Sequence, residues 1–146
     1  VAASHKDTVI ALFDAWHQRD LDKVTSLMTP DFEYATGSVR MPSPGQFCQM
    51  ARDIWTATPD EHVELVSIID DGDKIAVEAR TTATHTGPLR FGGVELPASN
   101  RKLDIGTAFF FSFKDGLIHR WNEYGDLKAW IEQMGATITI TPGHDS

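Results

Sequence analysis

The stretch best equipped for chemistry is residues 117–126, Leu-Ile-His-Arg-Trp-Asn-Glu-Tyr-Gly-Asp. Read as a strand, it puts Leu117, His119, Trp121 and Glu123 on one face and Ile118, Arg120, Asn122 and Tyr124 on the other. The strand before it offers Thr107, Phe109, Phe111 and Phe113 on one face. If the apolar faces are shared, Glu123 is a carboxylate among aromatic rings, where loss of water disfavours its charge and raises its pKa toward neutrality. Such a group suits removal of a proton from the carbon beside a carbonyl. The plain alternative is a strand-end acid half in water. His119 shares the predicted face and is a candidate to orient or protonate a ligand, or else a satisfied sheet histidine. Asp126 opens a helix and reads as its N-cap, complementing the helix dipole.

Other residue types give candidate walls rather than chemistry. Tyr34 offers a hydroxyl to a substrate oxygen, or packs with that hydroxyl at the rim. Trp16, Trp55 and Trp121 supply either a flat lining for a polycyclic or terpenoid ligand or ordinary core. The six histidines lack ligand spacing; His62 and Glu64 share a strand face, but two ligands do not make a metal site. Cys48 is the single cysteine, so no internal disulfide forms. No phosphate-binding glycine loop, dinucleotide fingerprint, zinc-protease helix or nucleophile elbow occurs in the sequence. The expectation is an enzyme with neither metal nor organic cofactor.

The chain that must position these groups has 146 residues, one domain's length. It carries 13 Lys+Arg against 21 Asp+Glu, a net charge of −8. That balance argues against nucleic acid and against an anionic membrane surface as partners. No apolar run approaches the ~18 residues of a membrane span, and the first residues lack a signal peptide's pattern. A cytoplasmic location is the default expectation.

Val9, Ile10, Phe13, Trp16 and His17 recur at helical steps, and a second short helix follows Asp20 with Val24, Leu27 and Met28 on one side. Pro30 is expected to end it, and 31–36 alternates as a short strand. Pro42, Pro44 and Gly45 predict a loop, and Phe47, Met50, Ile54 and Trp55 a third helix stopped before Pro59. Strands are predicted over 62–69, 74–84, 103–113 and 117–124, with 87–100 a long loop. A last helix spans 127–134, with Gly135 as its stop. Helices ahead of a mostly antiparallel sheet mean α+β. The expected form is a cone: a curved mixed or antiparallel sheet with the N-terminal helices over its concave face and a pocket between them.

Asp31-Phe32-Glu33-Tyr34, Thr84-His85-Thr86-Gly87-Pro88, Lys114-Asp115-Gly116-Leu117-Ile118 and Trp121…Tyr124-Gly125-Asp126 occur in that order. Together they resemble the SnoaL-like polyketide cyclases, of the nuclear transport factor 2-like fold shared with ketosteroid isomerases and limonene epoxide hydrolase. The resemblance covers about 8–135 of a single domain spanning 1–146, leaving 136–146 as a tail. It implies that Glu123 stands where the cyclases carry the aspartate of an intramolecular aldol closure, and where the epoxide hydrolase has an aspartate after a Trp. His85 falls in the family's corner before the long loop. The chain departs from the pattern at Thr107 and Phe109, where the aldol cyclases have Gln and His to hold the enolate, and at Tyr34, where they have Asn. Ala79 and Thr81 replace the Arg and second Asp of the epoxide hydrolase, with Arg80 on the opposite face, which makes that reaction the least favoured.

The reading from sequence is cofactor-independent acid/base cyclisation or isomerisation of a small hydrophobic carbonyl metabolite, such as a polyketide. Glu123, Tyr34 and His119 are the candidate catalytic residues; Trp16, Trp55, Thr81, His85, Thr107, Phe109 and Trp121 are the candidate ligand contacts. The alternative is a non-catalytic module that binds a small hydrophobic molecule, or a dimeric scaffold. A homodimer is implied by the resemblance, with Phe110, Ile118 and Tyr124 on the face away from the pocket.

Overall fold

Alternation of apolar and polar residues builds the centre of the molecule. A computed structural model describes residues 3–37, 39–91 and 93–143. In β4 (Lys74–Thr84), Ile75, Val77, Ala79 and Ala83 are buried while Glu78 and Arg80 face water. β4 lies between β3 (His62–Asp70) and β7 (Lys102–Lys114), antiparallel to both. β7 turns through Asp115 and Gly116, both at positive φ (52° and 78°), into β8 (Leu117–Gly125). This is the two-residue hairpin whose handedness matches strand twist. β8 then pairs in parallel with β1 (Met28–Thr36), which pairs antiparallel with β2 (Val39–Met41). The six-stranded mixed sheet has the order β2-β1-β8-β7-β4-β3.

The helices cover one face of this sheet. α1 (His5–His17) starts with a reciprocal capping box between Ser4 and Asp7 and buries Thr8, Val9, Leu12, Phe13, Ala15 and Trp16. α2 (Leu21–Ser26) is capped by Asp20, and α3 (Pro44–Ala57) by Ser43 with Pro44 in its first turn. Phe13, Trp16, Phe32, Tyr34, Phe47, Phe109, Phe111 and Trp121 meet in one aromatic core between helices and sheet. α4 (Leu127–Gln133) closes the far end; Asp126 accepts a hydrogen bond from the Ala129 amide at 2.9 Å, so its expected role as N-cap holds. The architecture is α+β with N-terminal helices over a mixed sheet, as expected.

Several local expectations need correction. Ile10 is 37% exposed and Leu12, absent from the predicted stripe, takes its place inside. Pro30 lies within β1 rather than ending α2; the β1–β8 ladder is irregular between Met28 and Glu33, so no amide is needed there. Residues 39–41 form a short edge strand ahead of the predicted loop, and Pro44 opens a helix rather than lying in that loop. The long loop at 87–100 contains a small hairpin, β5 (Leu89–Phe91) with β6 (Val94–Leu96). No helix or strand occurs over 136–143, and 144–146 lie outside the described residues.

One correction changes which residues share a face. Phe113 pairs with Ile118 but Ser112 pairs with Arg120, so His119 is an extra residue in β8. The bulge turns Ile118 into the core at 0% exposure, not onto the outer face. That outer face keeps Phe110 and Tyr124, which are 45% and 58% exposed and pack edge to face at 5.8 Å.

Candidate active site

Two strands bring the central pair together. Parallel pairing of β1 with β8 sets Tyr34 beside Trp121 and Thr36 beside Glu123, all on the helix-covered face. On its other side Glu123 is directly opposite Phe109 of β7. The Tyr34 hydroxyl donates to Glu123 Oε2 across 2.6 Å. Burial pushes the Glu123 carboxyl above its ordinary pKa, and the Tyr34 bond, which favours the ionised form, opposes that rise. Tyr34 is 3% exposed. Its own pKa rises strongly because of burial and the adjacent Glu123 charge, so it stays a neutral donor.

A second acid, not anticipated from the sequence, lies across the aromatic layer. Glu61, the residue before β3, accepts a hydrogen bond from Trp16 Nε1 at 2.7 Å. Arg19, at φ +59° just beyond α1, clamps the chain here by donating Nη2 to the carbonyls of Pro59 (2.8 Å) and Glu61 (3.1 Å). Its guanidinium also sits 5.1 Å over the Trp55 ring. Burial pushes the Glu61 carboxyl up to about 6, with the charges of Glu123 and Asp60 acting the same way and the Trp16 bond and Arg19 acting against. The sequence held a signal for this residue: Glu61 is in phase with Val63 and Leu65, which face inward.

The indoles do not form a flat wall. Trp16 meets Trp55 at 4.8 Å and 62°, and Trp121 at 6.2 Å and 68°. Tyr34 and Phe109 each meet Trp121 near 80°, at 5.6 and 5.4 Å. Edge-to-face packing of this kind suits ring quadrupoles and holds each ring in place. Trp16, Phe109 and Trp121 are buried and serve as core as well as surroundings of the acids; Trp55 is half-buried. Among the described residues, the buried Nε1 atoms of Trp55 and Trp121, the Oγ1 of Thr107 and the Nε2 of His85 have no hydrogen-bond partner. Thr107 pairs with Gly125 and Ala79, and a Cβ on Gly125 would meet its methyl at 2.9 Å. Thr81 is half-buried on the same face, between Val63 and Ile105.

Two candidates stand apart. The His119 ring, carried by the bulge, lies 3.2 Å from Thr29 Oγ1 and 3.4 Å from the Asp31 carboxylate, not beside Glu123. His85 is fully buried in the corner after β4, where its Nδ1 meets Ser99 Oγ at 2.9 Å and its backbone bonds Arg101 and Asn100. Burial lowers its pKa, which favours the neutral ring. A surface cleft of about 360 Å³ between Asp60, Thr84 and Asp104 contains none of the predicted site residues. Among the described residues no group of three His, Cys, Asp or Glu is placed to hold a metal ion, and no helix is long and apolar enough to cross a membrane.

A SnoaL-like polyketide cyclase from Jannaschia sp. CCS1, so described as a candidate only, superposes with a TM-score of 0.83 at 24% identity, over 94% of this chain and 96% of that one. AclR, a candidate hydroxylase from Streptomyces galilaeus, gives 0.77 at 21% over 90% and 95%. An NTF2-like protein of unknown function from Burkholderia pseudomallei gives 0.77 at 16% over 92% and 99%. These likenesses establish the NTF2-like fold. No curated protein matches the chain. The family model of the SnoaL-like polyketide cyclases matches residues 6–134, nearly the whole of the described fold, and the chain belongs to that family.

Proposed function

We propose that the protein is an enzyme that moves a proton on a small hydrophobic carbonyl compound, leading to cyclisation or isomerisation, with Glu123 as acid/base. The observation that carries this reading is the Tyr34–Glu123 hydrogen bond inside an aromatic layer. In the step, the Glu123 carboxylate takes the proton from the carbon beside the carbonyl, and the C–H electron pair moves into the carbonyl to give an enolate. Once Glu123 is protonated, the Tyr34 hydroxyl is free to turn to the enolate oxygen. The enolate carbon then attacks a second carbonyl, or is protonated elsewhere, and Glu123 returns the proton. A moderately basic carboxylate suffices because a proton flanked by carbonyls is already acidic, so no cofactor is invoked.

The test is deuterium uptake by 2-tetralone in D2O, followed by mass spectrometry. The protein is expected to accelerate uptake over buffer, and Glu123→Gln, which keeps shape and removes basicity, to lose about 10²–10⁴-fold. Full uptake by that variant overturns the reading.

A second reading, a module that binds a hydrophobic molecule without reaction, is favoured by Phe109. It directly faces Glu123, where the resemblance to aldol cyclases calls for a polar group to stabilise the enolate. A bound ligand recovered unchanged, with no uptake, supports it. In either case the exposed Phe110–Tyr124 pair on the outer face is the proposed contact of a homodimer.

A further inference from the structure

We propose that Glu61 is a second proton-transfer group of the same site, paired with Glu123 so that one carboxyl takes a proton from a bound carbonyl compound while the other gives one to its oxygen. The inference rests on the proton-transfer reading above and adds to it a residue, a direction and a charge rule.

The geometry comes first. Glu61 and Glu123 arrive from different edges of the fold, before β3 and at the end of β8, yet one layer of rings links them. Glu61 is bonded to Trp16, Trp16 packs on Trp121, and Trp121 packs on Tyr34, which is bonded to Glu123. The Glu123 charge raises the Glu61 pKa, and both charges raise that of Tyr34. Each carboxyl has a single neutral hydrogen-bond donor among the described side chains, an indole N–H for one and a phenol for the other, which leaves oxygen lone pairs for a ligand. Two buried donors in the same region, Trp55 Nε1 and Trp121 Nε1, have no partner among the described residues, and native interiors rarely leave such groups unmet.

The charged groups around Glu61 are few. From α1 and the turn after it come Arg19, whose guanidinium is committed to three carbonyls and the Trp55 face, and His17. His17 Nε2 accepts the Val63 amide at 3.1 Å, its ring stacks on His62 at 4.5 Å, and burial lowers its pKa. From the loop before β3 comes Asp60, tied to the amide and hydroxyl of Thr84, both at 2.7 Å. From the sheet come Tyr34 and Glu123. No cation is bonded to either carboxyl among the described side chains, so ionising both puts two like charges into one partly desolvated layer. The pair therefore favours holding one proton between them.

That proton supplies the donor that Phe109 lacks. In the forward step the C–H bond breaks toward the Glu123 carboxylate, the electron pair moves to the carbonyl oxygen, and that oxygen takes the proton of Glu61. An enol forms, Glu123 ends protonated and Glu61 ionised, and the pair carries one proton before and after. Its net charge never changes, so no step adds a charge to the interior. The reverse transfer, to the same or a different carbon, resets both groups. The substrate class is a carbonyl compound with an acidic neighbouring C–H and apolar flanks.

The test combines deuterium uptake by 2-tetralone across pH with 13C NMR titration of the intact chain labelled at glutamate carboxyls. The expected uptake falls as pH rises through about 6, where Glu61 loses its proton. Glu61→Gln, which can still accept from Trp16, is expected to lose that alkaline limb and at least about tenfold of the maximal rate, with unchanged circular dichroism. The Glu61 carboxyl signal is expected to titrate near 6 and to move to lower pH in Glu123→Gln. Trp16→Phe, which removes its donor, is expected to move it higher. Unchanged rate and pH profile in Glu61→Gln, or a Glu61 titration indifferent to Glu123→Gln, overturns the pairing. If the wild-type chain takes up no deuterium, the proton-transfer reading fails by itself, and a midpoint that does not move then rejects the pair as well, whereas one that moves supports the shared proton.

Discussion

The Tyr34 hydroxyl meets Glu123 Oε2 at 2.6 Å although the residues are 89 positions apart. Their contact depends on one parallel pairing, β1 against β8, in a sheet whose other ladders are antiparallel. The bond lowers the basicity of the acid it touches against the rise that burial causes, because a donor to the ionised carboxylate favours that form. Tyr34→Phe is expected to raise the Glu123 pKa further, shifting the acid limb of 2-tetralone deuteration to higher pH. The maximal rate is expected to drop about 10–10²-fold, as when a preorganised donor is removed. An unshifted acid limb contradicts the role given to Tyr34.

Placing Glu61 in a desolvated layer has a cost in stability whose sign follows from its raised pKa. Between its ordinary value of 4.5 and about 6 the folded chain binds more protons than the unfolded one, so stability falls as pH rises through that window and the loss is complete above it. Glu61→Gln escapes the penalty. Its stability relative to wild type, measured by urea unfolding, is expected to improve by about 1–2 kcal/mol between pH 4.5 and pH 7.5. Asp60 acts oppositely and in a lower window: the Thr84 bonds hold its pKa down, so its contribution is lost as the solution is acidified below the usual aspartate range. A Glu61→Gln difference that is flat with pH refutes the raised pKa.

His119 is distant from this chemistry by its bulge and by its partners Thr29 and Asp31. His119→Ala is expected to leave deuterium uptake unchanged. Since the Asp31 pair is solvent-exposed, it is also expected to cost less than about 1 kcal/mol of stability. A large fall in uptake returns His119 to the list of catalytic groups.

The corner at Gly87 depends on close approach of two backbones. A Cβ there would lie 2.1 Å from the Thr56 carbonyl oxygen at the end of α3, a clash with main chain that no rotamer relieves. The Thr86 and Gly87 amides both donate to the Ala57 carbonyl, at 3.0 and 3.1 Å, so the contact cannot open without losing them. Gly87→Ala is expected to destabilise the fold by about 1–3 kcal/mol, read as a lower thermal midpoint.

Local pattern was sufficient for much of this protein. Alternation in β4 and turn residues at Asp115 and Gly116 specify two strands and a hairpin, because side-chain direction in a strand repeats every two residues and positive φ favours few residue types. The same rule, with the Trp–Glu spacing, marks Glu123, and the alternation of Phe32, Tyr34 and Thr36 marks the strand that presents the phenol. Where periodicity breaks, the pattern misleads: the bulge at His119 reverses the phase of β8, moving Ile118 inward and His119 to Asp31, because one inserted residue flips the side of every residue before it. Glu61 was legible only in phase with Val63, since nothing in its own neighbourhood marks where β3 begins. Which strands lie side by side, and hence that Tyr34 donates to Glu123 and that Glu61 accepts from Trp16, was decided by the tertiary structure alone. Pairings across 89 and 45 residues are selected by the burial of the whole aromatic layer, a free energy that belongs to all its members together and to no local segment.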